Sequence, residues 1–384
     1  MKLSERELTW VFEVLERVKK KMKLVTERNR GKIPYTTVNG IFDDRSGDDM
    51  IDWWTNGFWG GLMWQLYNLT EEEIYKQEAI FVEEKLDKVL MNANGLDHDN
   101  GFKWLPTAVV NYKITNSEES YNRAILAANN FAGRFNLAGG FFRAWNDRAN
   151  IDRRGWAIID CMMNLPLLYW ASDVTTDPRF RQMAIAHANT AQKYFVREDG
   201  SVNHIVEFDP FTGEMKKTYG GQGYAEGSSW TRGQAWALYG FVISYIHTKD
   251  EHYLNTAKRV ANYVIANIPD NKLIPVDFRQ PFDCVWEDST ASAIFACGLL
   301  ELSKYTEERD SKLYIKTALE LLRTLDEQRC CWDLEKDGIL EKCTAAYHAD
   351  EHEFSIIYGD YYFVEALLKL SDKEIFIWVV SSEI

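Results

Sequence analysis

The sequence predicts an all-α fold, an (α/α)6 barrel of six helical hairpins with long loops on one rim. Six segments are apolar almost all round, near 56–69, 104–114, 157–172, 232–247, 288–305 and 355–370. A helix with no polar face belongs inside a protein. Most of these segments are followed by a polar break and an amphipathic helix, near 72–90, 118–135, 178–196, 250–268 and 311–328. A helix at 5–24 supplies the sixth amphipathic partner. Strand signals are sparse and confined to loops, as at 140–145 and 202–208. The hairpins recur every 45 to 75 residues or so, roughly the spacing of helical pairs with variable loops and long for a solenoid.

The elements follow in order. Ser4 and Glu7 carry a capping-box signature, and Leu8, Val11, Phe12, Leu15, Val18 and Met22 follow at helical spacing. From Thr26 to Asp52 the chain is polar and irregular. Its acids Asp43, Asp44, Asp48, Asp49 and Asp52 lack the spacing of a calcium loop and read as a solvated loop. An aromatic stretch, Trp53-Trp54-Thr55-Asn56, leads into the first inner helix. The hairpin ends 66–70, 112–116 and 302–306 repeat loosely. A Gly-rich loop from Gly220 precedes the fourth inner helix, with Ser228, Ser229 and Thr231 as candidate N-caps. No Pro/Gly/Ser linker interrupts the pattern, so 1–384 reads as one domain. Residues 375–384 form a terminal apolar segment with no assigned packing.

Composition narrows the function. The 14 Trp, 19 Tyr and 20 Phe suit either an aromatic-rich core or a concave ligand site. A net charge of −14 argues against a nucleic-acid partner, and an acidic substrate would need a few local basic groups. The six cysteines form no Cys-x-x-Cys framework, and no signal peptide or membrane-length apolar run is present. The expectation is a cytoplasmic protein with no membrane partner.

The chemistry-bearing residues fall in loops or first turns leading into the inner helices, which in such a barrel share one rim. Asp160 stands inside the apolar run Ala157-Ile158-Ile159-Asp160-Cys161-Met162-Met163. Desolvation there raises a carboxyl pKa and leaves a proton to donate near neutrality, unless the residue merely serves the helix dipole. Asp99 and Asp147 are the other candidate acids, with Asx-turns as the plain alternative. Gln222, Trp230, Arg232, Gln234 and Trp236 combine flat faces, amides and one guanidinium, a set suited to a sugar ring carrying a carboxylate. His98 and His204 lie far apart with no ligand spacing, so neither a metal nor another cofactor is expected. No Gly-x-Ser-x-Gly elbow supports a serine nucleophile. His187 reads as structural, and His247, His252, His348 and His352 as surface or loop residues.

Several motifs then converge. They are Trp-Thr-Asn-Gly-Phe-Trp-Gly-Gly (54–61), His-Asp-Asn-Gly-Phe (98–102), Ile-Asp-Cys-Met-Met-Asn-Leu-Pro-Leu-Leu-Tyr-Trp-Ala-Ser (159–172), the 222–236 stretch, 287–294, and Tyr-Gly-Asp-Tyr-Tyr (358–362). In this order, over nearly the whole chain, they resemble the unsaturated glucuronyl hydrolases of glycoside hydrolase family 88. The resemblance implies action on Δ4,5-unsaturated uronic acids at the non-reducing end of lyase-generated oligosaccharides. Asp160 would protonate C4 of the enol ether and then take a proton from the water attacking C5. Asp99 would hold sugar hydroxyls and keep Asp160 protonated by like-charge coupling. His204, Gln222 and Arg232 would contact the uronate or the water. Trp54, Trp145, Trp230 and Trp236 would wall the site, and Asn56 and His98 complete the substrate-binding set. The loop 345–353 departs from the pattern expected of enzymes that favour sulfated chondroitin, carrying Asp350, Glu351 and Glu353. Two other readings share the barrel, an unsaturated rhamnogalacturonyl hydrolase and a catalytically silent glycan-binding protein. A conventional inverting glycosidase is the third.

Overall fold

The computed structural model describes residues 3–92, 95–147, 151–283 and 285–379. Cys284 and the last five residues of the terminal segment lie outside that set. The outer helices are α1 (Glu5–Arg28), α3 (Glu73–Lys85, continued by the short α4, Asp87–Leu90), α7 (Glu118–Ala132), α9 (Pro178–Tyr194), α11 (Glu251–Asn267) and α13 (Glu308–Gln328). The inner ring holds α2 (Asn56–Thr70), α5 (Asn100–Trp104) with α6 (Val110–Thr115), α8 (Pro166–Thr175), α10 (Thr231–Thr248), α12 (Ser289–Ser303) and α14 (Ile357–Leu370). Each inner element packs on the next, and α14 returns to α2, closing the (α/α)6 ring. Among the described residues no helix is long and apolar enough to cross a membrane.

Two inner segments are not the continuous helices the sequence predicts. Between α5 and α6 the chain makes a π-helical turn, Leu105–Val109, where the Val110 N–H reaches back to the Leu105 carbonyl. Pro106 has no N–H to donate to an α-helical ladder, and the wider turn accommodates it. Two short hairpins lie in the loops, β1 (Thr37–Val38) with β2 (Ile41–Phe42) and β3 (Phe135–Asn136) with β4 (Phe141–Phe142). The segment predicted as helix from 157 begins as strand β5 (Trp156–Ile158) and a 3-10 turn (Ile159–Met163) before α8. The β-branched pair Ile158 and Ile159 favours extended backbone. A partner strand, β6 (Ile205–Phe208), is available, with Ile158 opposite Ile205. β7 (Met215–Tyr219) completes an antiparallel sheet in the order β5-β6-β7.

The loose repeat at the hairpin ends has a backbone cause. Glu71, Asn116, Thr176 and Lys249, each just past an inner helix, all sit at φ between 56° and 59°. The Glu71, Asn116 and Lys249 N–H groups donate to the carbonyls of Tyr67, Tyr112 and Tyr245. A left-handed residue at this position satisfies an orphan carbonyl and reverses the chain. The outer helix then starts on Ser117, Asp177 or Asp250, whose side chains accept from its first turn. The 302–306 end lacks the turn, since Lys304 stays right-handed.

The ends of the chain close the ring. The capping box at Ser4 and Glu7 is formed, and α1 runs one turn further than its sequence pattern predicts. Trp10 Nε1 and Arg17 Nη2 both donate to Asp326 Oδ2 (2.9 and 2.8 Å), and Lys21 Nζ donates to the carbonyls of Asp333 and Lys336. Asp337, fully buried, accepts from Arg28 (2.7 Å), Asn29 (3.1 Å) and the Phe42 N–H (3.0 Å). Its loss leaves two buried donors, the Asn29 amide and the Phe42 N–H, short of a partner and the exposed Arg28 without its counter-charge. Asp337→Ala is therefore expected to lower unfolding stability by about 2–4 kcal/mol, read from a denaturant midpoint. The acidic loop is less solvated than its composition suggests: Asp43 accepts from the Tyr35 and Thr36 N–H groups, and Asp44 from Ile33 and Ser46.

The terminal segment also has a place. Trp378 stacks on Tyr362 (5.9 Å between centroids), and its indole donates to Glu365 Oε2 at 2.8 Å. Its carbonyl lies 3.3 Å from His247 Nε2. His247 is thus half-buried on α10 rather than a loop residue. It stacks on Tyr169 at 4.6 Å, and burial lowers its pKa to about 4.

Candidate active site

A cleft of about 370 Å³ opens on the loop-bearing rim. It is lined by Asp52, Trp53, Trp54, Asp97, His98, Asp99, Trp145, Asn146, Arg153, Ile158, Asp160 and Gln222, with Gly95. Its volume lies within the usual range for small-molecule sites.

The β5–β6 pairing builds the acid. Ile159 N donates to His204 O at 3.1 Å, which puts Asp160 beside the His204 ring. His204 Nε2 lies 3.6 Å from Asp160 Oδ1. The other ring nitrogen, Nδ1, accepts from the Gln222 N–H at 2.9 Å, so the proton of the neutral ring sits on Nε2 and faces the carboxyl. Gly221 makes this possible: it sits at φ +60°, and a Cβ there would lie 1.9 Å from Nδ1. Burial holds His204 neutral, with a pKa near 3.

Burial pushes Asp160 up to about 6, against the opposing pull of the Arg232 charge and the Trp236 indole. Neither Asp160 Oδ1 nor Trp236 Nε1 completes a hydrogen bond of good geometry, so the indole acts as a nearby dipole. Part of the Asp160 side chain, 13%, faces the cleft.

Asp99 caps α5. Asn164 Nδ2 donates to its Oδ1 at 3.2 Å, while Asn164 Oδ1 accepts from the Phe102 N–H at 2.8 Å. Only glycine at 101 permits this approach, since a Cβ would come within 2.4 Å of the Asn164 backbone. Burial and the charges of Asp97 and Asp160 raise the Asp99 pKa well above the carboxylate range. Burial would also raise Asp97, but the Lys103 ammonium at 3.1 Å and the Asp99 N–H at 2.9 Å hold it low. His98 is kept neutral by burial, with a pKa near 3, and its Nε2 lies 3.4 Å from Asp99 Oδ2. The cleft thus sets Asp97, held low by Lys103, beside Asp99, held high by burial, together with Asp160, pushed up to about 6. Among the described residues no three His, Cys, Asp or Glu side chains form a metal-binding group.

Residues 21–381 match the Glycosyl Hydrolase Family 88 description. The chain belongs to family 88. It is a glycosidase. An unsaturated glucuronyl hydrolase of Bacillus sp. strain GL1 is 36% identical over 330 residues, 83% of this chain and 86% of that one. A solved structure with dGlcA-Glc-Rha-Glc superposes with a TM-score of 0.86 at 31% identity, covering 92% of this chain and 96% of the other. A Streptococcus agalactiae unsaturated glucuronyl hydrolase, an Asp-to-Asn variant complexed with dGlcA-GalNAc6S, gives 0.81 at 29% identity over 94% and 91% of the two chains.

Within this family-88 cleft the structure brings together Asp99, Asp160, Trp54, His98, Trp145 and Gln222, with His204 directly behind Asp160. Four expected contact residues stand back from it. Asn56 is fully buried, and its amide donates to the Met50 and Ile51 carbonyls, which fixes the loop carrying Trp53 and Trp54. Trp230 lies under the site, 4.2 Å from the His204 ring. Trp236 is buried against Phe102 and Tyr362 in the barrel core. Arg232 is 1% exposed. It pairs with Asp288 at 2.5 Å, donates to the Thr344 and Ala345 carbonyls, and packs on the Trp230 and Tyr358 rings. All but Asn56 lie at the start of α10, an inner-ring helix whose first turns are buried on every side.

Three more expectations change. Asp147 points away, accepting from Arg143 and the Arg153 N–H, and is half exposed. The like-charge coupling acts mainly on Asp99: Asp160 raises Asp99, whereas burial raises Asp160. The fourth inner helix starts without a Ser or Thr cap, because the Ser228 hydroxyl and Ser229 N–H donate to buried Asp277, and Thr231 Oγ1 donates to the Pro275 carbonyl. Sequence reasoning missed Asp277, Asn164, Asp97 and Arg153. Asn164 stood inside the quoted 159–172 motif, where its amide and its spacing from Asp160 were the available signal. The others become visible only through contacts between loops.

Proposed function

We propose that this enzyme releases Δ4,5-unsaturated uronic acid from the non-reducing end of glycosaminoglycan-type disaccharides, the whole chain acting as one catalytic unit. The observation that carries the reading is Asp160, a buried carboxyl titrating near 6 at the mouth of an aromatic cleft, with a neutral His204 N–H turned toward it. Asp160 donates its proton to C4 of the C4=C5 bond, and positive charge develops at C5 and the ring oxygen. Water adds to C5 and gives its proton to the Asp160 carboxylate. The resulting hemiketal opens, and the adjoining sugar leaves. Asp99, protonated in the resting site, donates to a sugar hydroxyl, while Trp54 and Trp145 flank the flattened ring. The relatives named for unsaturated glucuronyl hydrolysis, and those solved with dGlcA saccharides, support this substrate class over an unsaturated rhamnogalacturonide. The five described cysteines are unpaired, in keeping with action in the cytoplasm.

The test is ultraviolet absorbance of unsaturated chondroitin and hyaluronan disaccharides. The conjugated alkene signal should disappear on adding the enzyme, while a saturated glucuronide is untouched. Turnover of the saturated glucuronide, or of an unsaturated rhamnogalacturonan disaccharide alone, would overturn the reading. The active form carries the Asp160 proton, so kcat/KM should hold at low pH and fall as pH rises through about 6. A pH-rate profile with no descending limb between pH 5 and 8 would exclude Asp160 as the acid.

Sulfation should matter at the rim. The Tyr347 N–H donates to the Gln222 carbonyl, and the Gln222 amide donates to Ala345 O, which holds the acidic 345–353 loop against the cleft. Asp350 and Glu351 are exposed there, while Glu353 is paired with Lys342. A 6-sulfated disaccharide is expected to turn over more slowly than its unsulfated parent, and added salt should narrow the gap. Faster turnover of the sulfated substrate would refute this.

A further inference from the structure

Among the described residues that line the cleft, Arg153 is the only arginine or lysine. Its guanidinium lies 5.5 Å from the ring centroids of both Trp145 and Trp156, so two indoles hold the charge in place. The neighbouring cations are already engaged. Lys103 pairs with Asp97, Arg143 with Asp147, Arg154 with Asp152, and Arg232 with Asp288. Arg134 donates to the Leu96, Arg143 and Ala144 carbonyls and to Asn146. Arg153 makes no such pairing among the described residues, and its Nε is buried with no hydrogen-bond partner. A guanidinium fork turned to a cleft with an unmet donor is built to receive an oxyanion, which it binds through two parallel hydrogen bonds. The chain as a whole, at −14, repels anions, so a local cation must hold the negative group of the substrate.

We infer that Arg153 is an anion-binding, specificity-determining residue of the cleft, taking an oxyanion of the bound saccharide: the uronate carboxylate or a sulfate ester on the same ring. The inference rests on the proposed function for its substrate. It separates the two arginines of the site. Arg232 is neutralised by Asp288 and acts on the acidity of Asp160. Arg153 is not among the groups that set that acidity, and it acts on binding.

The experiment compares wild type with Arg153→Met, which keeps the packing between the indoles, and with Arg153→Lys. The substrates are an unsulfated unsaturated disaccharide, whose one anion is the carboxylate, and its 2-O-sulfated counterpart. The Met variant should raise KM by about tenfold or more with kcat nearly unchanged, and Lys should restore part of the loss. The descending pH limb should stay where it is. A rise on both substrates identifies the carboxylate as the anion, and a rise on the 2-sulfated one alone identifies the sulfate. An unchanged KM on both overturns the inference, as does a fall in kcat that tracks lost thermal stability in both variants. Calorimetric binding of the unsulfated and 2-O-sulfated disaccharides to Asp160→Asn, with and without Arg153→Met, isolates binding from turnover. Wild type active with Arg153-independent KM and Kd would sink the inference and leave the function standing. Arg153-dependent affinity in a protein inactive on every unsaturated uronide would do the reverse. No binding by the Arg153-bearing protein would remove both.

Discussion

Asp160→Asn is expected to lower kcat by at least about 10³-fold while leaving disaccharide affinity within an order of magnitude of wild type. The amide matches the carboxyl in shape and keeps its place beside His204, but it can neither give a proton to C4 nor take one from water. Fold should not suffer. Burial already disfavours the Asp160 carboxylate, and a neutral amide avoids that cost, so the thermal midpoint should hold or rise slightly. Wild-type loss of alkene absorbance with none from the variant assigns the proton to Asp160. Equal rates would move the acid to Asp99, the other protonated carboxyl in the cleft.

Arg232→Met should show the second large effect, in stability and in pH dependence together. The substitution leaves Asp288 fully buried, with its N-cap bond to Thr290 but without its counter-charge. Breaking a buried pair from one side costs about 3–5 kcal/mol, and a denaturant midpoint should register it. Adding Asp288→Asn removes the stranded charge, so the double variant should lose less than the sum of the two single changes. In the active site the sign is set by the Arg232 charge, which pulls Asp160 down. Without it Asp160 holds its proton to higher pH, and the descending limb of kcat/KM should move to the alkaline side. A limb that stays in place while stability falls would confine Arg232 to a structural role.

Much of the architecture was legible because inner helices of a ring are apolar on every side, a pattern no surface helix shares. The outer helices were legible from their amphipathic stripes, and α1 also from its capping box. The exceptions have local causes: Pro106 forces a π turn, and a strand 47 residues away in sequence draws Ile158 out of a helix. For the site, Asp99, Asp160, His98 and Gln222 sit in compact motifs, so their positions could be read. Arg153 could not, because its surroundings are two tryptophans brought together by loop packing. Arg232 was read as a contact to the uronate or the water, and Trp236 as a wall of the site, from the family resemblance. Sequence shows what a side chain can bind, but burial decides whether substrate reaches it.

The seam that closes the ring has a kinetic consequence. Trp10 meets Asp326 across 316 residues, and Arg28 meets Asp337 across 309. Each helical hairpin can assemble from neighbours in the chain, but this junction must await nearly everything between its ends, and such distant closures are slow. Its contacts should therefore be absent at the folding barrier and lost before the unfolding one. Asp337→Ala should then accelerate unfolding in proportion to its destabilisation and leave the refolding rate almost untouched. The lifetime of the native enzyme would be set at the seam.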